Sequence, residues 1–404
     1  MLVNADLHIH SKYSMATSPK MELPTLASES GKKGIQLVAT GDCLHPKWLA
    51  EIKKLKEENG VFRLDGAYFV LTTEVEDVNQ VHHLLIVPSI SKAEELYEFM
   101  KPKSNNIDSD GRPSVRLNGE EIAQAACDAG ALIGPAHAFT PWTAMYAYHN
   151  SLKDCYGDLA EHIYFMELGL SADTSYADRI AELQCLTFLT NSDAHSPYVN
   201  KLAREFNRFE MQEISFDELK MAIIREKGRK PVLNVGIPPE EGKYNESACI
   251  RCYKHYTLRE SIIKSWKCSC GGTIKKGVKD RVNELASFDM PKHPAHRPPY
   301  LHLIPLSEII AMALGVGVNT KGVQGIWNKL IERYGSEVSV LVDADIKISG
   351  VDERVINAII ALRCGKVKVH AGGGGQYGRI ELLGKATDTE RKIDCESQKS
   401  LFDF

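Results

Sequence analysis

In the run Asp6-Leu7-His8-Ile9-His10 a carboxylate and two imidazoles occupy alternate positions of an apolar stretch. On an extended strand residues two apart project from one face, so all three groups point the same way. The spacing recurs at Asp193-Ala194-His195, just past the apolar run 186–189. Between these motifs stand Asp42, Glu74, His83 and His137, each beside an apolar run of its own. Imidazoles and carboxylates gathered in this way are ligands for Zn²⁺, Mn²⁺, Fe²⁺ or Mg²⁺. The set His8, His10, Asp42, Glu74, His83, His137, Asp193 and His195 exceeds what one ion needs, and the expectation is a site of two or three divalent ions. One histidine on an apolar strand is ordinarily a satisfied core residue; a whole set at the ends of such runs is a different pattern. His82 and His83 face opposite sides of one strand, so only one of them can reach the metals, and the assignment made from the sequence is His83.

A second set of ligands is sulfur. Cys249-x2-Cys252 and Cys268-x-Cys270, separated by 15 residues, have the spacing of a four-thiolate zinc ribbon or knuckle. Cys249, Cys252, Cys268 and Cys270 are therefore expected to close a tetrahedral structural zinc site. Metal binding would supply the folding energy that so small a unit lacks. The other cysteines are scattered, which suits a reducing compartment. Between residues 243 and 297 twelve Lys or Arg stand against five Asp or Glu, in a chain of net charge −4. Tyr244, Tyr253, Tyr256 and Trp266 are interleaved with them. Basic and aromatic side chains together are what a phosphate backbone and unstacked bases require, so this segment is expected to contact nucleic acid. Gly372 to Gly375 read equally as a backbone approach to a phosphate or base and as a plain flexible turn.

Ligands so far apart in sequence need a scaffold that gathers strand ends. Apolar β-type runs at 3–10, 36–40, 68–73, 81–87, 131–136, 164–168 and 186–189 alternate with helical patterns at 46–58, 93–99, 118–129 and 175–184, and 217–226 follows the last. The alternation reads as repeated βα units and predicts an α/β fold with a parallel, barrel-shaped sheet, whose active site collects at the C-terminal strand ends. The 404 residues allow two or three domains. The expected divisions are a metal-site domain at 1–235, a linker rich in Pro, Gly and charge, a four-cysteine zinc module at 247–300, a mainly helical region at 301–385, and a polar tail at 386–404. With 43% hydrophobic and 25% charged residues, the composition excludes a disordered chain and a polycation. There is no basic segment followed by an apolar run and no stretch of about 18 apolar residues, so a cytoplasmic protein without a membrane partner is expected.

The motifs DLHIHS (6–11), TGD (40–42), TEVE (73–76), VHHLL (81–85), PAH (135–137) and NSDAH (191–195) together resemble the PHP family of metal-dependent phosphoesterases over roughly the first 200 residues. The resemblance implies a PHP-type distorted (β/α)7 barrel with metal ligands at those motifs. Two positions depart from the family pattern. Cys43 follows Asp42 where a histidine is common, with His45 two positions on, and residues 14–18 offer only hydroxyls where an aspartate is often found. One metal position is therefore expected to be weaker or built differently. With LTNSDAHSP (189–197), LAREFNRF (202–209), ACIRCY (248–253) and HAGGGGQYGRI (370–380) added, nearly the full length resembles the archaeal endonuclease Q family. That resemblance implies a DNA repair endonuclease that nicks 5′ of deaminated bases (uracil, hypoxanthine, xanthine) and of abasic sites. The last seven residues, with Gln398, Leu401 and Phe404, resemble a PCNA-interacting peptide and imply docking on the sliding clamp.

The chemistry expected is phosphodiester hydrolysis by in-line attack, with one metal activating water and another stabilising charge on the phosphoryl and leaving oxygens. His8, His10, Glu74 and Asp193 are assigned the catalytic core, and His83, His137, His195 and Asp42 complete the shell. The damaged nucleotide is expected to be flipped into a pocket between the barrel and the C-terminal region. Two rival readings share these motifs. A small-molecule PHP phosphatase would hydrolyse phosphate monoesters and leave DNA intact, and an inactive DNA-binding adaptor would carry about one zinc per chain, in the cysteine site.

Overall fold

The computed structural model of the chain describes residues 1–343 and 351–383. Each of the seven expected runs holds a strand. In chain order the strands before the linker are β1 (Leu2–Asp6), β2 (Leu37–Ala39), β3 (Lys56–Glu58), β4 (Val61–Leu64), β5 (Ala67–Glu76), β6 (His82–Val87), β7 (Leu132–Pro135), β8 (Phe165–Glu167), β9 (Thr187–Leu189), β10 (Phe206–Glu210) and β11 (Lys230–Gly236). After it come β12 (Ala248–Cys249), β13 (Ile274–Lys275), β14 (Tyr300–His302), β15 (Val367–His370) and β16 (Arg379–Leu382).

The main sheet has the order β14-β11-β10-β1-β2-β5-β4-β3, with β6 paired to β5 and carrying β7. It is mixed, which corrects the expected parallel arrangement. β1, β2 and β5 pair in parallel, whereas β5–β6, β6–β7, β1–β10 and β10–β11 are antiparallel. The connection from β5 to β6 spans only residues 77–81, too short for the crossover that parallel pairing needs. Among the described residues the ladder does not close into a continuous barrel, because β8 and β9 pair only with each other. Side chains span the gap: Asn207 Nδ2 donates to the Thr190 carbonyl (2.8 Å) and Asn234 Nδ2 to the Phe188 carbonyl (3.1 Å). Alternation on β1 sends Val3, Ala5 and Leu7 into a core with Val70, Leu84, Phe165 and Phe209, against the helix Phe216–Ile224, and leaves Asn4 and Asp6 on the other face.

The helix expected over 46–58 stops at Ile52, and its last residues form β3 instead. Asn59-Gly60, both at positive φ (53° and 77°), makes the two-residue turn into β4. The helix Gly119–Asp128 starts on a reciprocal capping box between Asn118 and Glu121.

β14 returns to the main sheet in parallel with β11, so the cysteine module is an excursion from the sheet and the expected boundary at 300 falls on a sheet strand. Beyond it the helices Leu306–Leu314, Lys321–Tyr334 and Glu353–Arg363 pack around Val323, Trp327 and Ile359. Buried Glu337 joins this unit to the helix Leu23–Lys33, accepting from Lys33 Nζ (2.6 Å) and from Trp327 Nε1 (2.7 Å). The tetraglycine segment answers the question left open by the sequence. Three of its four amides donate within the protein: Gly372 N–H to the Glu240 carbonyl (2.7 Å), Gly373 N–H to that of Gln376 (3.0 Å) and Gly375 N–H to that of Lys243 (2.9 Å). A Cβ on Gly373 would lie 2.7 Å from the Glu246 carbonyl oxygen. The segment is a buckle that fastens the β15–β16 hairpin to the linker.

Candidate active site

A single backbone bridge, Ile9 to Ala194, with the His10 N–H donating to the Ala194 carbonyl (3.0 Å), sets the two Asp/His motifs side by side. His8 and His10 on one strand end then face Asp193 and His195 on the other. Asp42, His137 and Asp193 all have positive φ (48°, 30° and 47°), a costly conformation for residues with a Cβ that persists where the surroundings over-determine it. These sharp turns just past strand ends aim the side chains at one point. Gly41, at φ 61°, permits the turn before Asp42, since a Cβ there would meet the Ile9 carbonyl oxygen at 2.2 Å.

Glu74 lies at the centre. Its Oε1 is 2.8 Å from His82 Nδ1, 2.9 Å from His137 Nε2 and 3.7 Å from His8 Nε2, and its Oε2 is 3.5 Å from His10 Nε2. Asp193 Oδ1 is 3.3 Å from His10 Nε2 and 3.7 Å from His195 Nδ1. Three triads with metal-ligand spacing result, Glu74–His82–His137, His8–His10–Glu74 and His10–Asp193–His195, linked through Glu74 and His10.

The structure thus gathers His8, His10, Glu74, His137, Asp193 and His195, and does not bring His83 to them. Register decides this: β6 sets His82 opposite Glu76, on the face that also carries Glu74, while His83 stands opposite Val75. His83 is buried elsewhere, its Nδ1 2.9 Å from the Tyr156 hydroxyl and its Nε2 3.5 Å from Asp77. His82 takes its place. Asp42 reaches the cluster only through His10. Its Oδ1 meets His10 Nδ1 (3.1 Å), and its Oδ2 accepts from the Ser11 N–H (2.6 Å) and the Ser14 hydroxyl (2.9 Å). Ser14 is one of the hydroxyls that stand where the family resemblance would place an aspartate. Asp6 shares the face of His8 but braces the Asp193 loop, accepting from the Ser192 N–H and hydroxyl and from the Ala203 N–H.

Glu167 was not singled out from the sequence, although it ends a strand as members of the cluster do. It is fully buried, and its Oε2 accepts from His8 Nδ1 (2.8 Å) and from Asn191 Nδ2 (3.1 Å). A carboxylate on Nδ1 orients the ring and leaves Nε2 as the ligand atom. The Nε2 atoms of both His8 and His10 are buried without a hydrogen-bond partner, and both face Glu74 and Asp193. Burial opposes charge on these imidazoles, yet Glu167, Glu74 and Asp193 hold His8 up at about 9, while Asp42 and Asp193 raise His10 well above the ordinary value. Burial likewise opposes charge on Glu74 and Asp193, yet both lie below the ordinary range because the surrounding imidazoles stabilise their charge. Unpartnered imidazole nitrogens in a field of carboxylates fit divalent cations.

A cavity of about 400 Å³ opens over the cluster. His82, His137, Glu167, Asp193 and His195 lie on its wall, and Arg112, whose Nη1 is 3.3 Å from Glu74, brings a cation to it. Lys243, Tyr244 and Tyr377 close it from outside the main sheet. In the cysteine module the four Sγ atoms lie within 4.8 Å of one another, with Cys249–Cys270 at 3.5 Å and Cys252–Cys268 at 3.6 Å. Thiolates about 2.3 Å from a tetrahedral zinc stand at roughly this separation.

The lesion-specific endonuclease PfuEndoQ from Pyrococcus furiosus is similar over 97% of this chain and 99% of its own, at TM-score 0.92 and 48% sequence identity. The chain belongs to the endonuclease Q family. A second structure, endonuclease Q in complex with a 27-mer duplex bearing an abasic lesion at the active site, matches at TM-score 0.91 and 48% identity, over 97% of this chain and 98% of that one. YqxK of Bacillus subtilis is 30% identical over 94% of this chain and 99% of its own length. MJ0043 of Methanocaldococcus jannaschii is 45% identical over 253 residues, which are 61% of this chain and span 31% of that relative. The MJ0043 C-terminal domain family matches residues 305–366, in the helical region. For a member of the endonuclease Q family, the cavity over the three triads is the place to look for activity.

Proposed function

We propose that the chain is a metal-dependent endodeoxyribonuclease that opens the phosphodiester 5′ of deaminated bases (uracil, hypoxanthine, xanthine) and of abasic sites. The observation that carries the reading is the pair of buried, unpartnered His8 and His10 nitrogens facing Glu74 and Asp193 beneath the cavity. The close relation to a lesion-specific endonuclease and to a complex with abasic DNA supports the substrate class. His8, His10, Glu74, His82, His137, Asp193 and His195 would hold two or three divalent ions, Zn²⁺, Mn²⁺ or Mg²⁺, with Asp42 and Glu167 orienting the histidines. Such ions supply hydroxide near neutral pH and screen charge on the phosphoryl oxygens.

The remaining work falls to the chain. Asp42 and Glu167 fix which nitrogen of each imidazole is free. Arg112 and Arg204 line the cavity and hold the anionic backbone against its wall, and Arg204 is itself anchored by its Nε on the Ser192 carbonyl (3.0 Å). Lys243, Tyr244 and Tyr377 receive an extruded nucleotide, and a poorly paired deaminated base costs less to extrude. Cys249, Cys252, Cys268 and Cys270 would hold a structural zinc and keep the basic module folded against the duplex. Docking on a sliding clamp through Gln398, Leu401 and Phe404 belongs to the same reading. It rests on the sequence alone, since these residues lie outside the described ones.

End-labelled duplexes carrying one deoxyuridine, one deoxyinosine, one abasic site or no lesion test the proposal. A nick on the 5′ side of each lesion is expected, with the undamaged duplex intact. Hydrolysis of a chromogenic phosphate monoester with every duplex intact would support the phosphatase reading instead.

A further inference from the structure

Trp142 stands in a conformation that its side chain disfavours, at a place where burial does not account for it. Its φ is 83°, the left-handed region that bulky residues rarely enter, and its side chain is 39% exposed. The turn is held rigidly. The Trp142 carbonyl accepts from the Tyr148 hydroxyl (2.6 Å), and the next carbonyl, of Thr143, accepts from the N–H of His82 (3.0 Å), a member of the Glu74 cluster. The indole lines the rim of the active-site cavity. It meets Tyr244 edge to face at 5.1 Å, and Lys275 Nζ lies 3.9 Å from its ring centroid. A rigid, partly exposed aromatic with a cation on it, beside a cavity lined by Arg112 and Lys243, presents what a nucleic-acid base stacks on.

We infer that Trp142 is a stacking residue that enters the duplex beside the extruded nucleotide and holds open the gap it leaves. The inference rests on the proposed endonuclease activity and adds to it the residue that opens the helix. Removing a nucleotide from a duplex breaks two stacking contacts, and an indole in the gap restores part of them. A single strand has no partner to separate, so Trp142 matters more for a duplex than for a strand carrying the same lesion.

The test is cleavage of a deoxyuridine-containing duplex and of the same strand unpaired, by wild type, W142A and W142F, at full metal loading. The ratio of duplex to single-strand rate is expected to fall at least about 10-fold in W142A, the size of one base–aromatic stack, and to stay within about 3-fold of wild type in W142F. An unchanged ratio, whether both rates fall together or neither does, would overturn the inference and leave Trp142 as packing between the sheet and the cysteine module. Wild type that cuts neither substrate would defeat the endonuclease reading itself.

Discussion

His82 and His83 differ by one position and by one face of β6, and the two should respond differently to removal. His82→Ala is expected to lower cleavage by about 100-fold and to release part of the bound metal, measured by elemental analysis. His83→Gln should stay within a few-fold of wild-type activity while losing roughly 1–3 kcal/mol of stability in denaturant titration, because its buried partners Tyr156 and Asp77 are disturbed. Equal losses of activity would contradict the register. Glu167→Gln, which weakens the acceptor on His8 Nδ1, should lower metal affinity by about 10–100-fold in chelator competition and leave the fold intact. Most of the site was legible at this scale, because ligand types at strand ends identify themselves. What one sequence lacks is pairing. Period two says that His82 and His83 face apart but not which of them faces Glu74, and it says that Asp6 shares a face with His8 but not that Ser192 and Ala203 occupy its oxygens.

Two of the strands that escaped the sequence have polar residues turned inward. β10 and β11 carry Asn207 and Asn234 into the interior, where they bridge to β9, so neither strand shows an apolar run. The Asn59-Gly60 turn was readable in principle, but the helical pattern of residues 46–58 masked it. β10 is immediately preceded by Glu205, whose Oε1 accepts from the Ile237 N–H (2.9 Å) and whose Oε2 is buried without a partner. Burial, with a smaller push from Glu167 and Asp6, raises this carboxyl from the usual range to about 8, against opposing effects of the Ile237 N–H and Arg204. Between about pH 4.5 and 8 the unfolded chain has released this proton while the folded one keeps it, so stability falls as pH rises through that window. Glu205→Gln should flatten the decline, and its melting temperature should exceed that of wild type at about pH 8 but not at about pH 4.5. Parallel melting curves across the window would show that Glu205 is not the group responsible. Gly373→Ala should loosen the hairpin from the linker and lower the melting temperature, since its Cβ meets the Glu246 backbone.

Taken as a whole, the molecule closes its cavity with residues far apart in sequence: ligands from the main sheet, Lys243 and Tyr244 from the linker region, and Tyr377 from the last hairpin. The order of motifs made the family visible, but the return of β14 to the sheet was not, because a three-residue edge strand leaves no periodic trace. The cysteine module should act mainly on binding. Cys268→Ser is expected to remove one zinc per chain, weaken duplex binding by about 10-fold or more, and reduce the slope of log affinity against log salt, as basic side chains lose their place on the phosphates. An unchanged salt slope would mean that the module does not touch DNA. Our proposal is that the cluster around Glu74 and Asp193 is a metal centre that cuts DNA at a lesion. It is tested most directly by single-turnover cleavage of an abasic-site duplex by wild type and Asp193→Ala, each with its metal content measured, before and after chelation and metal add-back. Expected are a 5′ nick by wild type that chelation abolishes and metal restores, no nick by Asp193→Ala under any condition, and a lower metal count in the variant. Cleavage by Asp193→Ala at the wild-type rate, or cleavage that survives complete removal of metal, would contradict it.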